Sequence, residues 1–382
     1  MRTPEPFRVD IPQADLDDLD HRLARTRWPD ELPDAGWAYG VNREYLVDLV
    51  DYWRTGYDWR RHEARLNSFP QFTTTVDGQN LHFLHVRSPE PDATPLVITH
   101  GWPSTVYDFV DIIGPLTDPA SYGGDPADAF HVVAPSVPGF GFSGPTRESG
   151  WGTNRIARAW DELMRGLGYP RYGAQGGDFG SIVSPALGRI APDRVIGVHL
   201  NALVDAATTI DPGELEKLTE AERDVVRQQE AWWYEHSGYA TQMSTRPQTL
   251  AYALNDSPAG QLAWNLEWLV DWDPTTSAKT PIDRDAILTN VSIFWLTGTA
   301  GSAARLYREA GGDGWGARPE PSPVPTGVVN FLGDGAIRGL AELANRITHW
   351  SEYDRGGHFA ALQAPAELVT DIRAFFRALA TR

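Results

Sequence analysis

Arg171-Tyr172-Gly173-Ala174-Gln175-Gly176-Gly177-Asp178-Phe179-Gly180-Ser181 is the stretch on which the reading of this chain turns. Its centre, Gly176 to Gly180, follows the pattern small, any, nucleophile, any, small. That pattern marks a sharp strand-to-helix turn lifting one side chain above a parallel sheet. Glycine is needed because the turn is strained and strand and helix pass close together. The usual residue at the apex is Ser; here it is Asp178. A carboxylate in that place attacks saturated carbon and leaves an ester that water can hydrolyse. A Gly-rich turn carrying a solvated Asp is the plainer reading, and this segment alone does not choose between the two.

Outward from the turn, the chain alternates short apolar runs with helical patterns. Pro95–His100 and Phe130–Pro135 read as buried strands, as do Arg171–Gly176 and Val195–Leu200. Asn154–Leu167 and Ser181–Ile190 read as helices between them. This rhythm predicts a doubly wound, mostly parallel sheet. From residue 206 to about 300 the rhythm stops. A charged helix is predicted over Glu214–Glu230, and aromatics follow at Trp232, Trp233, Tyr239, Trp264, Trp268, Trp272 and Trp295. This stretch reads as a helical lid. Strands return at Pro325–Leu332 and Ile347–Tyr353, and a final helix spans Pro365–Leu379, with proline where no N–H is needed. Before the sheet, Gln13–Arg27 and Asn42–Gly56 carry apolar residues at helical spacing, and Phe69–Thr75 and Leu81–Val86 alternate like paired strands. The expected division is an N-terminal arm over 1–80, a core over 81–205, the lid over 206–300 and the rest of the core over 301–382.

The composition narrows the partners. The chain has 382 residues, 41% hydrophobic and 22% charged, with a net charge of -18. Such an acidic balance argues against nucleic acid or an anionic membrane face as a partner. There is no Cys, so neither a disulfide framework nor a thiolate metal site can form. The N-terminus has no apolar stretch of signal type, and no run is long enough to cross a bilayer. A cytoplasmic protein is expected. An arm of this kind can also pack across a homodimer.

An Asp nucleophile needs a base for its ester, and the base needs an orienting acid. His358, in Arg355-Gly356-Gly357-His358-Phe359, sits on a glycine loop between the last strand and the last helix. In the chain order nucleophile, acid, His, that is the place of the base. The acid should follow the preceding strand. Asp334 does so, with Glu352 and Asp354 as competitors in or after the last strand. The turn at His100-Gly101-Trp102-Pro103 follows a strand that should adjoin the nucleophile strand. The amides of Trp102 and Phe179 are therefore candidate oxyanion donors, and the Trp102–Pro103 bond is expected to be cis.

With these residues in hand, the chain resembles an epoxide hydrolase of the microsomal type, a group that includes the juvenile-hormone epoxide hydrolases. The resemblance covers nearly the whole chain. It rests on Arg25-Thr26-Arg27-Trp28-Pro29, His100-Gly101-Trp102-Pro103, Gly176 to Ser181, Ala253 to Pro258, Tyr307-Arg308-Glu309 and Arg355 to Ala360, all in order. It implies an α/β-hydrolase fold with a helical lid and an N-terminal arm. Set against that resemblance, the N-terminal membrane anchor of the mammalian members is expected to be missing and the protein to be soluble. The resemblance also implies two lid tyrosines acting as acids toward the epoxide oxygen, which fall on Tyr239 and Tyr307. Where the family shows Phe-Pro-x-Glu, this chain has Phe331-Leu332-Gly333-Asp334, a shorter acid without the proline. The implied reaction runs through an ester on Asp178, hydrolysed by water that His358 activates, and yields a vicinal diol. It requires no metal or organic cofactor, and the aromatic lid suggests a bulky apolar or aromatic epoxide. A haloalkane dehalogenase would use the same Asp and His but would replace the phenols by halide-holding N–H groups. An inactive hydrolase-fold binding protein would need none of the set.

Overall fold

Nine strands form one sheet: β1 (Glu5–Phe7), β2 (Gln71–Val76), β3 (Gln79–Val86), β4 (Thr94–Thr99), β5 (Phe130–Pro135), β6 (Tyr172–Gly176), β7 (Val195–Leu200), β8 (Ser322–Asn330) and β9 (Asn345–Glu352). Their spatial order is β1-β2-β3-β5-β4-β6-β7-β8-β9. The first three strands pair antiparallel, as do β3 and β5; from β5 to β9 every pairing is parallel. The computed structural model describes residues 1–203, 210–270, 280–313 and 319–380. Trp272 lies outside the described residues.

The apolar runs are buried on both faces because helices cover both. Alternate residues go to opposite sides, as the strand period demands. Val97 and Val133 join one core with the helices Thr153–Gly166 and Phe179–Ile190. Leu96, Ile98, Val132 and Ala134 join the other, with Leu368, Ile372 and Phe375 of the helix Pro365–Ala380. On the helix Thr153–Gly166, Ile156, Trp160, Leu163 and Met164 form the buried stripe. The Trp160 indole donates to Thr99 Oγ1 at 3.1 Å, at the end of β4.

The N-terminal arm is continuous with this sheet through β1 and β2. Its helices Gln13–Ala24 and Arg43–Thr55 bury Leu19, Leu23, Leu49, Val50 and Trp53 against Leu262, Leu266, Leu288 and Val291 of the lid. Asn42 caps the second helix, accepting the Tyr45 N–H at 2.9 Å. A third arm helix, Trp59–Leu66, escaped the periodicity reading. Its buried face is half polar, with His62 and Glu63 between Trp59 and Leu66. Glu63 Oε1 accepts the Ile11 N–H and the Trp59 indole N–H, so burial there rests on hydrogen bonds instead of an apolar stripe.

Between β7 and β8 lie the long helices Glu220–His236, Pro258–Leu269, Arg284–Thr297 and Ala300–Gly312, with Gly238–Thr245 and Pro247–Leu254 between them. The charged helix expected over Glu214–Glu230 starts later, at Glu220. Thr219 accepts the Glu222 N–H, and Glu222 reaches back to the Thr219 N–H. This capping box sets the start, and Pro212–Leu215 is a separate turn. Among the described residues no helix is long and apolar enough to cross a membrane.

Candidate active site

Asp178 stands between β6 and the helix Phe179–Ile190 with φ 55° and ψ -125°. A positive φ is rare for a residue with a side chain and belongs to strained, over-determined turns. The surroundings that hold it are all close. The Asp178 N–H donates to the Ala202 carbonyl at 3.2 Å. A Cβ on Gly180 would sit 2.2 Å from the Thr99 carbonyl oxygen, so helix and strand cross with no room for a side chain. β4 runs parallel beside β6, with Thr99 opposite Gly176. That register brings the loop His100–Pro103 alongside the carboxylate.

In this loop the Trp102 N–H donates to Asp178 Oδ1 at 2.9 Å, and the Trp102–Pro103 bond is cis. The carboxylate presses so near Gly101 that a Cβ there would meet Oδ1 at 2.1 Å. His100 locks the loop from below. Its Nδ1–H donates to the Gly101 carbonyl at 2.9 Å, and its Nε2 accepts the Val137 N–H at 3.1 Å. Burial pushes this imidazole down to about 4, so it stays neutral.

His358 Nε2 lies 3.3 Å from Asp178 Oδ2. Its loop is fastened from the lid side: Thr280 Oγ1 donates to the Gly356 carbonyl at 2.8 Å, and Gln363 Nε2 donates to the Thr280 carbonyl. Of the three acids weighed for orienting it, Glu352 and Asp354 are exposed. Asp334 is half-buried, and burial raises it to about 6 against the opposing pull of His358. It accepts the Phe331 N–H at 3.1 Å and the backbone N–H of Ala202. Ala202, itself at φ 43°, thus touches both Asp178 and Asp334.

Tyr239, on the helix Gly238–Thr245, and Tyr307, on Ala300–Gly312, meet where these two helices pack together. Their rings cross edge to face at 5.6 Å, and their hydroxyls are hydrogen-bonded to each other. Trp102 stacks on Tyr239 at 5.4 Å, and Phe179 meets Tyr307 edge-on at 4.8 Å. Burial and the charge of Asp178 raise both phenols well above their ordinary value, so both stay protonated. The structure therefore gathers Asp178, His358, Asp334, Tyr239, Tyr307, Trp102 and Phe179 into one place.

One neighbour was not singled out from sequence. Asp108, in the short 3-10 turn Val106–Phe109, is buried and lines the same cavity as Asp178 and His358. The signal was a lone acid inside Val106-Tyr107-Asp108-Phe109-Val110, an otherwise apolar run. Among the described residues no cluster of three or more His, Cys, Asp and Glu fits a metal ion.

A family model described as "Epoxide hydrolase N terminus" matches residues 4–109, and one described as "alpha/beta hydrolase fold" matches residues 94–365. A relative from Stigmatella aurantiaca, named only provisionally as an epoxide hydrolase, is 43% identical over 98% of this chain and 85% of its own. "Epoxide hydrolase 1" of Sus scrofa is 33% identical, with 97% of this chain and 88% of its own covered. The solved structure of the Aspergillus niger epoxide hydrolase superposes with a TM-score of 0.86 at 33% identity, covering 99% of this chain and 97% of that one.

Proposed function

This chain belongs to the epoxide hydrolase family of the α/β-hydrolase fold, and from that premise we propose that Asp178 is the group that opens the ring. Tyr239 and Tyr307 donate hydrogen bonds to the epoxide oxygen. A carboxylate oxygen of Asp178 bonds to one ring carbon as the carbon–oxygen pair withdraws to that oxygen, which takes a phenol proton. A hydroxyalkyl ester remains on Asp178.

In the second stage His358, held by Asp334, takes a proton from water while the water oxygen adds to the ester carbonyl carbon. The amides of Trp102 and Phe179 hold the oxyanion, each donor worth about 10²–10³ in rate in comparable sites. Collapse expels the diol oxygen, which takes the imidazolium proton. The carboxylic acid left at 178 restores the phenol.

The observation that carries this reading is the seating of one carboxylate. Oδ1 sits on the Trp102 N–H, Oδ2 lies 3.3 Å from His358, and two protonated phenols feel its charge. Single-turnover hydrolysis in oxygen-18 water tests it. The first diol should be unlabelled, and the label should enter the Asp178 carboxylate; label in the first diol would end the proposal.

The substrate class supported best is a bulky apolar or aromatic epoxide. Trp102, Phe179, Trp233 and Trp268 all pack against the two phenols or their ring cluster. A panel of styrene-type and aliphatic epoxides should show higher kcat/KM for the former. Fractionation of the cells that make the protein tests for a cytoplasmic location, and sedimentation of the purified chain tests for a homodimer.

A further inference from the structure

His358 faces carboxylates from three different elements. Asp178 comes from the turn after β6, at 3.3 Å, and Asp334 from the loop after β8. The third is Asp108, from the turn that follows the cis proline, which acts on His358 through its charge. The first two are part of the scheme above; the third is not.

Asp108 is held as carefully as either. Asn290 Nδ2, from the lid helix Arg284–Thr297, donates to Asp108 Oδ1 at 2.9 Å. Thr105 Oγ1 donates to Asn290 Oδ1 at 2.7 Å, so the amide cannot turn. Ser104 also hydrogen-bonds the carboxylate. Behind it, Tyr107 meets His62 of the arm at 2.6 Å. Among the described residues Asp108 is held by the Asn290 amide and the Ser104 hydroxyl and feels the charge of His358, and it forms no ion pair with an Arg or Lys. A buried carboxylate without a structural cation is costly to keep.

The cavity between these groups is lined by Ser104, Asp108, Gln175, Asp178, Asn201 and His358. Gln175 Nε2 donates to Asn201 Oδ1 at 2.8 Å, while Gln175 Oε1 has no partner in the protein although its side chain is buried. A polar niche with an open acceptor, beside the carboxylate carbon and the imidazole, suits one water molecule.

We infer that Asp108 is a positioning residue for the second half-reaction, acting through His358 to sustain the imidazolium as the niche water attacks the ester. The inference rests on the ester scheme proposed above. Two anions from different elements acting on one imidazole favour its protonated form as it arises. The first half-reaction creates no imidazolium, so it does not call on Asp108. Burial raises both acids, Asp108 and Asp334, to about 6; both are therefore charged above that pH.

Rapid-mix measurements on Asp108→Asn, with Asp108→Glu beside it, test the inference. In Asp108→Asn the ester should form at close to the wild-type rate. Its hydrolysis should slow by about tenfold or more, and the acid limb of the hydrolysis rate should move down by roughly one pH unit, because His358 loses basicity. Asp108→Glu should recover most of both. An unchanged hydrolysis rate and acid limb would overturn the inference. So would an equal loss in both half-reactions with the limb unmoved, or no recovery by Glu, since those describe a packing defect. If the wild type itself forms no ester on Asp178, the scheme falls along with the inference.

Discussion

The floor and the roof of this site are built by different physics. The floor comes from loops at the ends of sheet strands, and backbone amides and carboxylates fix it. Trp102 N–H sits on Asp178, Ala202 and Phe331 N–H on Asp334, and Val137 N–H on His100. The roof comes from helices, and rings fix it. Tyr239 lies 4.3 Å from Trp268, 5.6 Å from Tyr307 and 5.4 Å from Trp102. Trp264 and Trp268 even leave their indole N–H groups buried without partners. A directional floor tolerates almost no change in what it does. A ring-packed roof can be reshaped while keeping its two hydroxyls in place.

Asp178→Asn should break the floor most severely. Turnover should fall by about 10⁴ or more, as for lost nucleophiles elsewhere, and mass spectrometry should find no ester. The fold should survive, because the amide oxygen still accepts the Trp102 N–H; a thermal melt checks that. A residual rate within a hundredfold of wild type would mean the floor is not where bonds change.

Next come the roof hydroxyls. Tyr239→Phe and Tyr307→Phe should each slow ester formation by about 10²-fold and leave ester hydrolysis alone. Because the two hydroxyls bond each other, the double variant should lose less than the product of the single effects. Stopped-flow traces on all three variants separate the stages, and equal slowing of both stages would erase the division between roof and floor.

Acidity should divide the two regions in a third way. Asp334 is raised to about 6, so it takes up a proton as pH falls through that value. The protonated acid cannot balance the imidazolium, so loss of the Asp334 charge should steepen the decline of ester hydrolysis below about pH 6. The phenols are raised above 10, so ester formation should show no loss from their ionisation up to that pH. Separate pH profiles of the two stages measure this, and an alkaline limb in ester formation near 9 would contradict it. The smallest effect belongs to Trp268→Phe. It removes a buried N–H that lacks a partner and part of a ring contact worth about 1 kcal/mol. Stability should shift little, while preference among epoxides of different width changes a few-fold.

The sequence made the floor's apex and the strand rhythm legible because both depend on local rules. Glycines around Asp178 follow from close approach, and apolar runs follow from burial on two faces. Asp334 was harder, since only burial separates it from Glu352 and Asp354, and burial is not a local property. Tyr239 and Tyr307 could be singled out among the tyrosines only through the family resemblance, because their meeting depends on two helices far apart in the chain. Helix Trp59–Leu66 and Asp108 stayed hidden for a shared reason. Each buries polar atoms whose partners, Ile11 for Glu63 and Asn290 for Asp108, lie tens of residues or more away.

Ala202 gives the floor a property that no single contact reveals. Its carbonyl receives the N–H of Asp178, and its own N–H is given to the carboxylate of Asp334. The separation of the two acids is therefore gauged by the two torsions of one small residue, held in a left-handed bend. Lengthening or shortening the chain there by a single residue would uncouple them, so drift in this loop is confined to substitutions that preserve the bend, and Gly is the natural one to try.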